Sequence, residues 1–266
     1  MSTPTTKYIS KLRDQRVLIL GGTSGIGYAV AEASIEHGAS VILSGSNSTK
    51  LTNALERLRT SYPSASASGY TCDLSDAETL EGNVAALLAA ATDSGTTKLN
   101  HIIFTAGDAI NLVNVRDATV PAVLRMANVR FLGPLMISKL APPYMVPGPG
   151  SSLTFTAGVN YKRPGPQWGI AAAWIAGLEG LVRGMTVDLK PLRINMVSPG
   201  AIKTEMWDRM PMPEEHRQKL FEMTAAATTV GRMGRPEDVA EAYIYLMKDQ
   251  FATGSVVDSE GGRLLC

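Results

Sequence analysis

The stretch Val17-Leu18-Ile19-Leu20-Gly21-Gly22-Thr23-Ser24-Gly25-Ile26-Gly27 decides the fold. Its first four residues are apolar without alternation, the pattern of a strand covered on both faces. Four of the next seven are glycine, and helical spacing sets in at Gly25. A turn this poor in side chains lets the backbone fold sharply and brings the amides of a helix N-terminus to an anion such as a pyrophosphate. A strand before it, a helix after it and a place in the first βα unit separate it from an ordinary glycine turn. Gly21, Thr23, Ser24, Gly25, Ile26 and Gly27 are therefore the first candidate binding residues.

Outward from this turn the chain alternates two periodicities. Strand-like runs lie at 17–20, 41–43, 68–71, 101–104, 153–156, 194–197 and 255–257. Helical spacing fills 25–37, 49–61, 76–91, 121–140 and 169–190, with Ser75 as the expected cap of the third helix. The alternation predicts an α/β fold: one doubly wound parallel sheet of about seven strands, with helices on both faces. The seven runs use up residues 1–266, so a single domain is expected. The Pro- and Gly-rich stretch 142–150 reads as a loop. Loops at 159–168 and 204–229 follow the carboxyl ends of strands, where open α/β sheets bind ligands, and the second reads as a lid.

Composition narrows the class. The chain has 266 residues, 45% apolar and 18% charged, enough to bury a core without metal or disulfide staples. Lys plus Arg number 25 against 24 Asp plus Glu, so nothing favours a nucleic-acid partner. Cys72 and Cys266 make no spaced metal pair, and a reduced cytoplasmic protein is expected. Residues 1–16 lack a signal-peptide core, and no apolar run is read as approaching the roughly 18 residues of a membrane span.

The spacing Gly21-x-x-x-Gly25-x-Gly27 resembles that of the short-chain dehydrogenase/reductase family, and the resemblance runs along nearly the whole chain. Asp73-Leu74 is similar to the family's adenine-contacting pair. Thr105-Ala106-Gly107 resembles the end of its Asn-Asn-Ala-Gly motif, with Thr105 replacing an Asn. Ser198-Pro199-Gly200-Ala201-Ile202-Lys203-Thr204 resembles the loop that holds the nicotinamide end. Gly234-Arg235-Pro236-Glu237-Asp238-Val239-Ala240 and Glu260-Gly261-Gly262 resemble the C-terminal signature. The resemblance implies a Rossmann fold and a nicotinamide cofactor held also by Asp73, Leu74, Thr105, Ala106, Gly107, Pro199, Gly200, Ile202 and Thr204. It further implies a homodimer or homotetramer built on the helices at 121–140 and 169–190, the second being apolar around much of its circumference.

An acid after the second strand would bond a ribose 2′-hydroxyl and repel a 2′-phosphate. That strand instead ends Ser44-Gly45-Ser46-Asn47-Ser48, with Lys50 behind. Ser44, Ser46 and Asn47 are therefore read as favouring NADP(H), with helix capping as the alternative task of 46–48.

The proton-transfer end departs from the family pattern. A typical member carries a Tyr that moves the carbonyl proton, a Lys four residues later, a Ser that holds the oxygen, and an Asn. Alignment on Phe155-Thr156-Ala157-Gly158 and on Ala176-Gly177-Leu178-Glu179-Gly180-Leu181 puts Ala157, Ala171 and Ile175 at the Ser, Tyr and Lys positions. Arg130, three residues before Gly133, takes the Asn position, and neither Tyr144 nor Tyr161 has Lys four residues on. Ketone reduction is therefore not expected. An iminium carbon, already cationic, accepts hydride without simultaneous proton delivery.

Arg130 offers up to about five donors beside the nicotinamide, against the alternative of a salt bridge to Asp108 or Glu179. Arg130 and Trp168 are the catalytic candidates. Trp168 and Trp174, with Met206, Trp207, Met210 and Met212, are read as walls of an apolar pocket for a hydrophobic small molecule, ordinary core being the alternative. Arg130 together with Arg163-Pro164-Gly165-Pro166-Gln167-Trp168 resembles a fungal branch of the family, the bifunctional reductase/Diels–Alderases of bridged bicyclic diazaoctane indole alkaloid biosynthesis. That resemblance implies NADPH-dependent reduction of a cyclic iminium followed by cycloaddition. An acid expected in the loop to balance the cation is missing, Gly165 and Gln167 standing there instead. A non-catalytic dinucleotide sensor or scaffold, and a cyclase that keeps the cofactor as a wall, remain alternatives.

Overall fold

The computed structural model describes residues 6–108, 112–208 and 212–266. Seven strands form one parallel sheet in the order β3-β2-β1-β4-β5-β6-β7. They are β1 (Arg16–Leu20), β2 (Ser40–Gly45), β3 (Ala67–Thr71), β4 (His101–Phe104), β5 (Ser152–Thr156), β6 (Arg193–Pro199) and β7 (Val256–Ser259). Helices α1 (Gly25–Glu36), α2 (Ser48–Ser61) and α9 (Pro236–Lys248) cover one face. Helices α3 (Leu80–Ala91), α4 (Val120–Ala127), α5 (Gly133–Leu140) and α6 (Gly169–Asp188) cover the other. Two helices, α7 (Glu205–Asp208) and α8 (Glu214–Ala226), follow β6.

The unbroken apolar run of β1 follows from its central place. Val17 and Ile19 enter the core under α1 and α9, while Leu18 and Leu20 enter the core under α3 and α5. All four are at most 1% exposed, and burying each contributes about 1.5–3 kcal/mol. Strand order reverses between β1 and β4, so the ends of these two strands part into a crevice at the carboxyl edge.

Several boundaries differ from the sequence reading. The third helix begins at Leu80 rather than 76, and Ser75 does not cap it. Asp76 accepts the Glu78 amide at 3.2 Å and the Thr79 hydroxyl at 3.0 Å, which holds the segment in a turn. The helix read at 121–140 widens into a five-residue π-type stretch, Asn128–Leu132, between α4 and α5. The segment 234–240, read from the sequence only as a signature, leads into α9. Its signal was present: Pro236 opens the helix, and Asp238 accepts the Arg235 amide at 2.8 Å. Two helical stretches, Val120–Leu140 and Gly169–Asp188, prove long and apolar enough to cross a membrane, contrary to the run-length reading. Each packs one face into the α/β layers, with Val129 and Ile137 of the first and Leu178, Val182 and Met185 of the second in the core.

The amino edge of the sheet carries a buried polar network. The His101 ring lies 2.8 Å from Ser152 Oγ through Nδ1 and 2.7 Å from Gln15 Oε1 through Nε2. Burial, aided by the Arg193 cation, pushes the His101 pKa down to about 3. Arg193 itself donates to the carbonyls of Pro149, Leu246, Ala252 and Met247 at 2.6–3.1 Å.

Candidate active site

The glycine turn packs directly on the end of β4. A Cβ on Gly21 would lie 2.5 Å from the Ala106 amide nitrogen, and one on Gly27 2.4 Å from both Gly21 O and Thr105 Oγ1. Thr105 Oγ1 donates to the Leu20 carbonyl at 2.9 Å, so the residue that replaces an Asn still ties β4 to β1. The Ser44 carbonyl accepts the Gly21 and Gly22 amides at 2.8 and 3.2 Å. This cradle of close backbone brings the first turn of α1 to the crevice and fits a dinucleotide pyrophosphate, although the Gly25 amide itself donates to Glu205 Oε2 at 2.9 Å.

The predicted 2′-phosphate residues divide. Ser44 is buried at 1% exposure and supplies its carbonyl to the glycine turn. Ser46, Asn47 and Lys50 are exposed. Asn47 caps α2 by accepting the Lys50 amide at 2.9 Å, the alternative task foreseen for this run. Asp73 is exposed and accepts the Ser75 amide at 3.0 Å, whereas the Leu74 side chain belongs to the core. Asn128, which the sequence reading passed over, reaches the Ser75 carbonyl at 2.7 Å and fixes the π-type stretch to this loop.

The Pro199–Thr204 loop lies opposite. Gly200 donates to Ser259 O at 2.9 Å, and a Cβ on it would meet Glu260 Cα at 2.8 Å. Ile202 is buried and pairs with Gly234, while Trp207 Nε1 holds its carbonyl at 2.7 Å. The Thr204 methyl comes within 3.1 Å of where a Gly25 Cβ would stand. The two signature segments thus meet, and both loops close on one crevice.

Arg130 projects from the π-type stretch onto β4. Its guanidinium lies against Gly107, whose Cβ would stand only 2.6 Å from Nη2 and 2.8 Å from Cζ. Nε pairs with Asp108 Oδ1 at 3.1 Å, and Nη2 donates to the Asp108 carbonyl at 2.5 Å. The side chains are 29% and 43% exposed, so the pair remains open to a ligand. The salt bridge to Asp108, the alternative read for Arg130 from the sequence, is thus formed, and it sets a carboxylate beside the guanidinium where the 163–168 loop offers none. Glu179, the other partner considered, instead accepts the Tyr161 hydroxyl at 2.6 Å and Arg183 at 2.5 Å. Burial and that carboxylate raise the Tyr161 pKa, and Lys162 is paired with Asp258 at 2.6 Å. Tyr161 and Lys162 are each committed to a carboxylate and are not arranged as a displaced Tyr–Lys pair.

Trp168 caps the start of α6, its indole beside Gly165. Ala157 directly follows β5, and Ala171 and Ile175 lie on α6. Two of the expected pocket walls are helix-packing residues. Trp174 stacks on Phe131 with centroids 5.3 Å apart and donates to Val123 O at 3.2 Å. Trp207 meets Phe221 edge-on at 5.6 Å. Met206 is 39% exposed, and Met210 lies outside the described residues. Among the described residues, no group of three or more His, Cys, Asp or Glu could hold a metal ion.

A family model described as an SDR-like Rossmann domain matches residues 8–266. The chain belongs to the short-chain dehydrogenase/reductase family. It is an oxidoreductase fold of this family over essentially its full length. It is 42% identical over 265 residues to the short-chain dehydrogenase/reductase malC of Malbranchea aurantiaca, covering 98% of this chain and 99% of that one. It is 40% identical over 262 residues to the short-chain dehydrogenase/reductase fsr5 of Gibberella fujikuroi, covering 97% and 98%. The solved structure of the MalC reductase/Diels–Alderase from Malbranchea aurantiaca superposes with a TM-score of 0.92, covering 97% of this chain and all of the other.

Proposed function

We propose that this short-chain dehydrogenase/reductase is an NADPH-dependent reductase of a cyclic imine or iminium, acting on a hydrophobic alkaloid-like intermediate in fungal secondary metabolism. The observation that carries the proposal is the Arg130–Asp108 pair beside Gly107, at the end of the cofactor crevice where a family member ordinarily keeps its proton-transfer groups. Bound NADPH supplies hydride to the substrate carbon. The glycine turn would hold the pyrophosphate, and the exposed Ser46 and Lys50 would supply the contacts to a 2′-phosphate. Arg130 orients a carbonyl or carboxylate of the substrate through the donors left free by Asp108, and Asp108 offsets its charge so that a cationic carbon can approach. With Ala157, Ala171 and Ile175 at the positions of the usual proton-transfer residues, a neutral ketone finds no acid to protonate its oxygen.

The 42% identity to a protein described as a reductase/Diels–Alderase supports a second step, an intramolecular cycloaddition of the reduced product in the same site. Steady-state NADPH oxidation with matched panels of cyclic imines and ketones tests the reading. Turnover confined to imines supports it, and preferential ketone turnover overturns it.

We further propose that the enzyme is a homodimer or homotetramer. The outward side of α6 exposes Ala173, Ala176, Gly177, Gly180 and Gly184, a nearly flat strip that lets a second helix approach closely. Light scattering at micromolar concentration reads the mass directly, and a monomeric value contradicts this part.

A further inference from the structure

The amide of Gly25, first residue of α1, donates to Glu205 Oε2 at 2.9 Å. A carboxylate at a helix N-terminus is favoured by the helix dipole and by the unpaired amides there. It also takes the hydrogen bond that a dinucleotide pyrophosphate needs. Thr204 is seated beside it, within 3.1 Å of where a Gly25 Cβ would stand, and Gly25 holds a φ of +54° that favours glycine. Glu205 opens α7, and two residues on Trp207 is fastened to the Ile202 carbonyl and to the Phe221 ring. The segment 204–208 therefore lies across the mouth of the glycine turn, joined to it through one charge-assisted bond.

We propose that Glu205 is an intramolecular latch that competes with the cofactor for the N-terminus of α1. Two anions do not share one amide. Cofactor binding expels the carboxylate from the Gly25 amide and turns the Glu205 side chain away from the mouth of the glycine turn, while Trp207 keeps α7 in place. The latch lowers the apparent cofactor affinity by the fraction of molecules in which the site is closed. This inference rests on reading the glycine turn as the dinucleotide site.

Calorimetric titration of the full-length wild type, Glu205→Gln and Glu205→Ala with NADP⁺, and separately with inorganic pyrophosphate, tests it. A latch closed in most molecules predicts about five- to thirtyfold tighter binding of both probes in Glu205→Ala, with Glu205→Gln intermediate. Equal or weaker binding of pyrophosphate in both variants overturns the latch. Glu205→Gln, which preserves shape, carries the test if the alanine variant does not fold. If the wild type binds no dinucleotide, the cofactor reading fails by itself, while pyrophosphate titration still decides the latch.

Discussion

Arg130 and Asp108 form an ion pair, 3.1 Å from Nε to Oδ1, laid on the backbone of Gly107 at the carboxyl end of the sheet. Gly107 permits this placement, because any side chain there would strike the guanidinium. The pair is partly exposed and its fold contribution is small, so its value lies in what it presents to a ligand.

Replacing Arg130 with Ala should leave the melting temperature and NADPH affinity nearly unchanged. Turnover of a cyclic imine should fall by roughly thirty- to a thousandfold, the about 2–4 kcal/mol of a charge-assisted contact made in the transition state. Asp108→Asn should keep the geometry and raise KM for cationic substrates more than for neutral ones. A variant of Arg130 that loses stability and keeps turnover would make the pair structural.

NADPH should bind at least about tenfold more tightly than NADH, since one charge-assisted contact to a 2′-phosphate is worth about 1.5–3 kcal/mol. Ser46 and Lys50 are exposed candidates for that contact, and Lys50→Ala should erase most of the preference. Titration calorimetry decides, and equal or tighter NADH binding in the wild type overturns the assignment.

His101 makes stability depend on acid. Its folded pKa, about 3, lies below the ordinary 6.5, so the unfolded chain takes up the proton first. Stability from this group is complete above pH 6.5 and is lost as pH falls from there towards 3, by about 2 kcal/mol at pH 5. Urea unfolding at pH 7 and pH 5 should show that loss, reduced in His101→Asn. An equal slope in both proteins would assign the pH dependence elsewhere.

The fold was legible because its deciding features are local. A non-alternating β1, the glycine turn and the β/α alternation each announce themselves within a dozen residues. The π-type stretch at Asn128–Leu132 was not legible, since its bond from Asn128 to Ser75 joins segments far apart in the chain. The burial of Ser44 was not legible either, since a hydroxyl residue at a strand end gives no sign of it. Asp108 was legible as a partner of Arg130, but the choice between it and Glu179 was not, because spacing does not say which acid the guanidinium meets. Glu205 stands next to Thr204, yet its contact with Gly25 spans 180 positions, and no spacing rule reaches that far.

The most direct test of the central claim is a single-turnover incubation of the enzyme with NADPH deuterated at the nicotinamide C4 and a candidate cyclic imine, read by mass spectrometry and NMR. Hydride transfer to an iminium predicts deuterium at the former imine carbon, on one face, before or together with any cyclised product. Cyclised product without deuterium, or label only in an alcohol formed from a ketone, would contradict it.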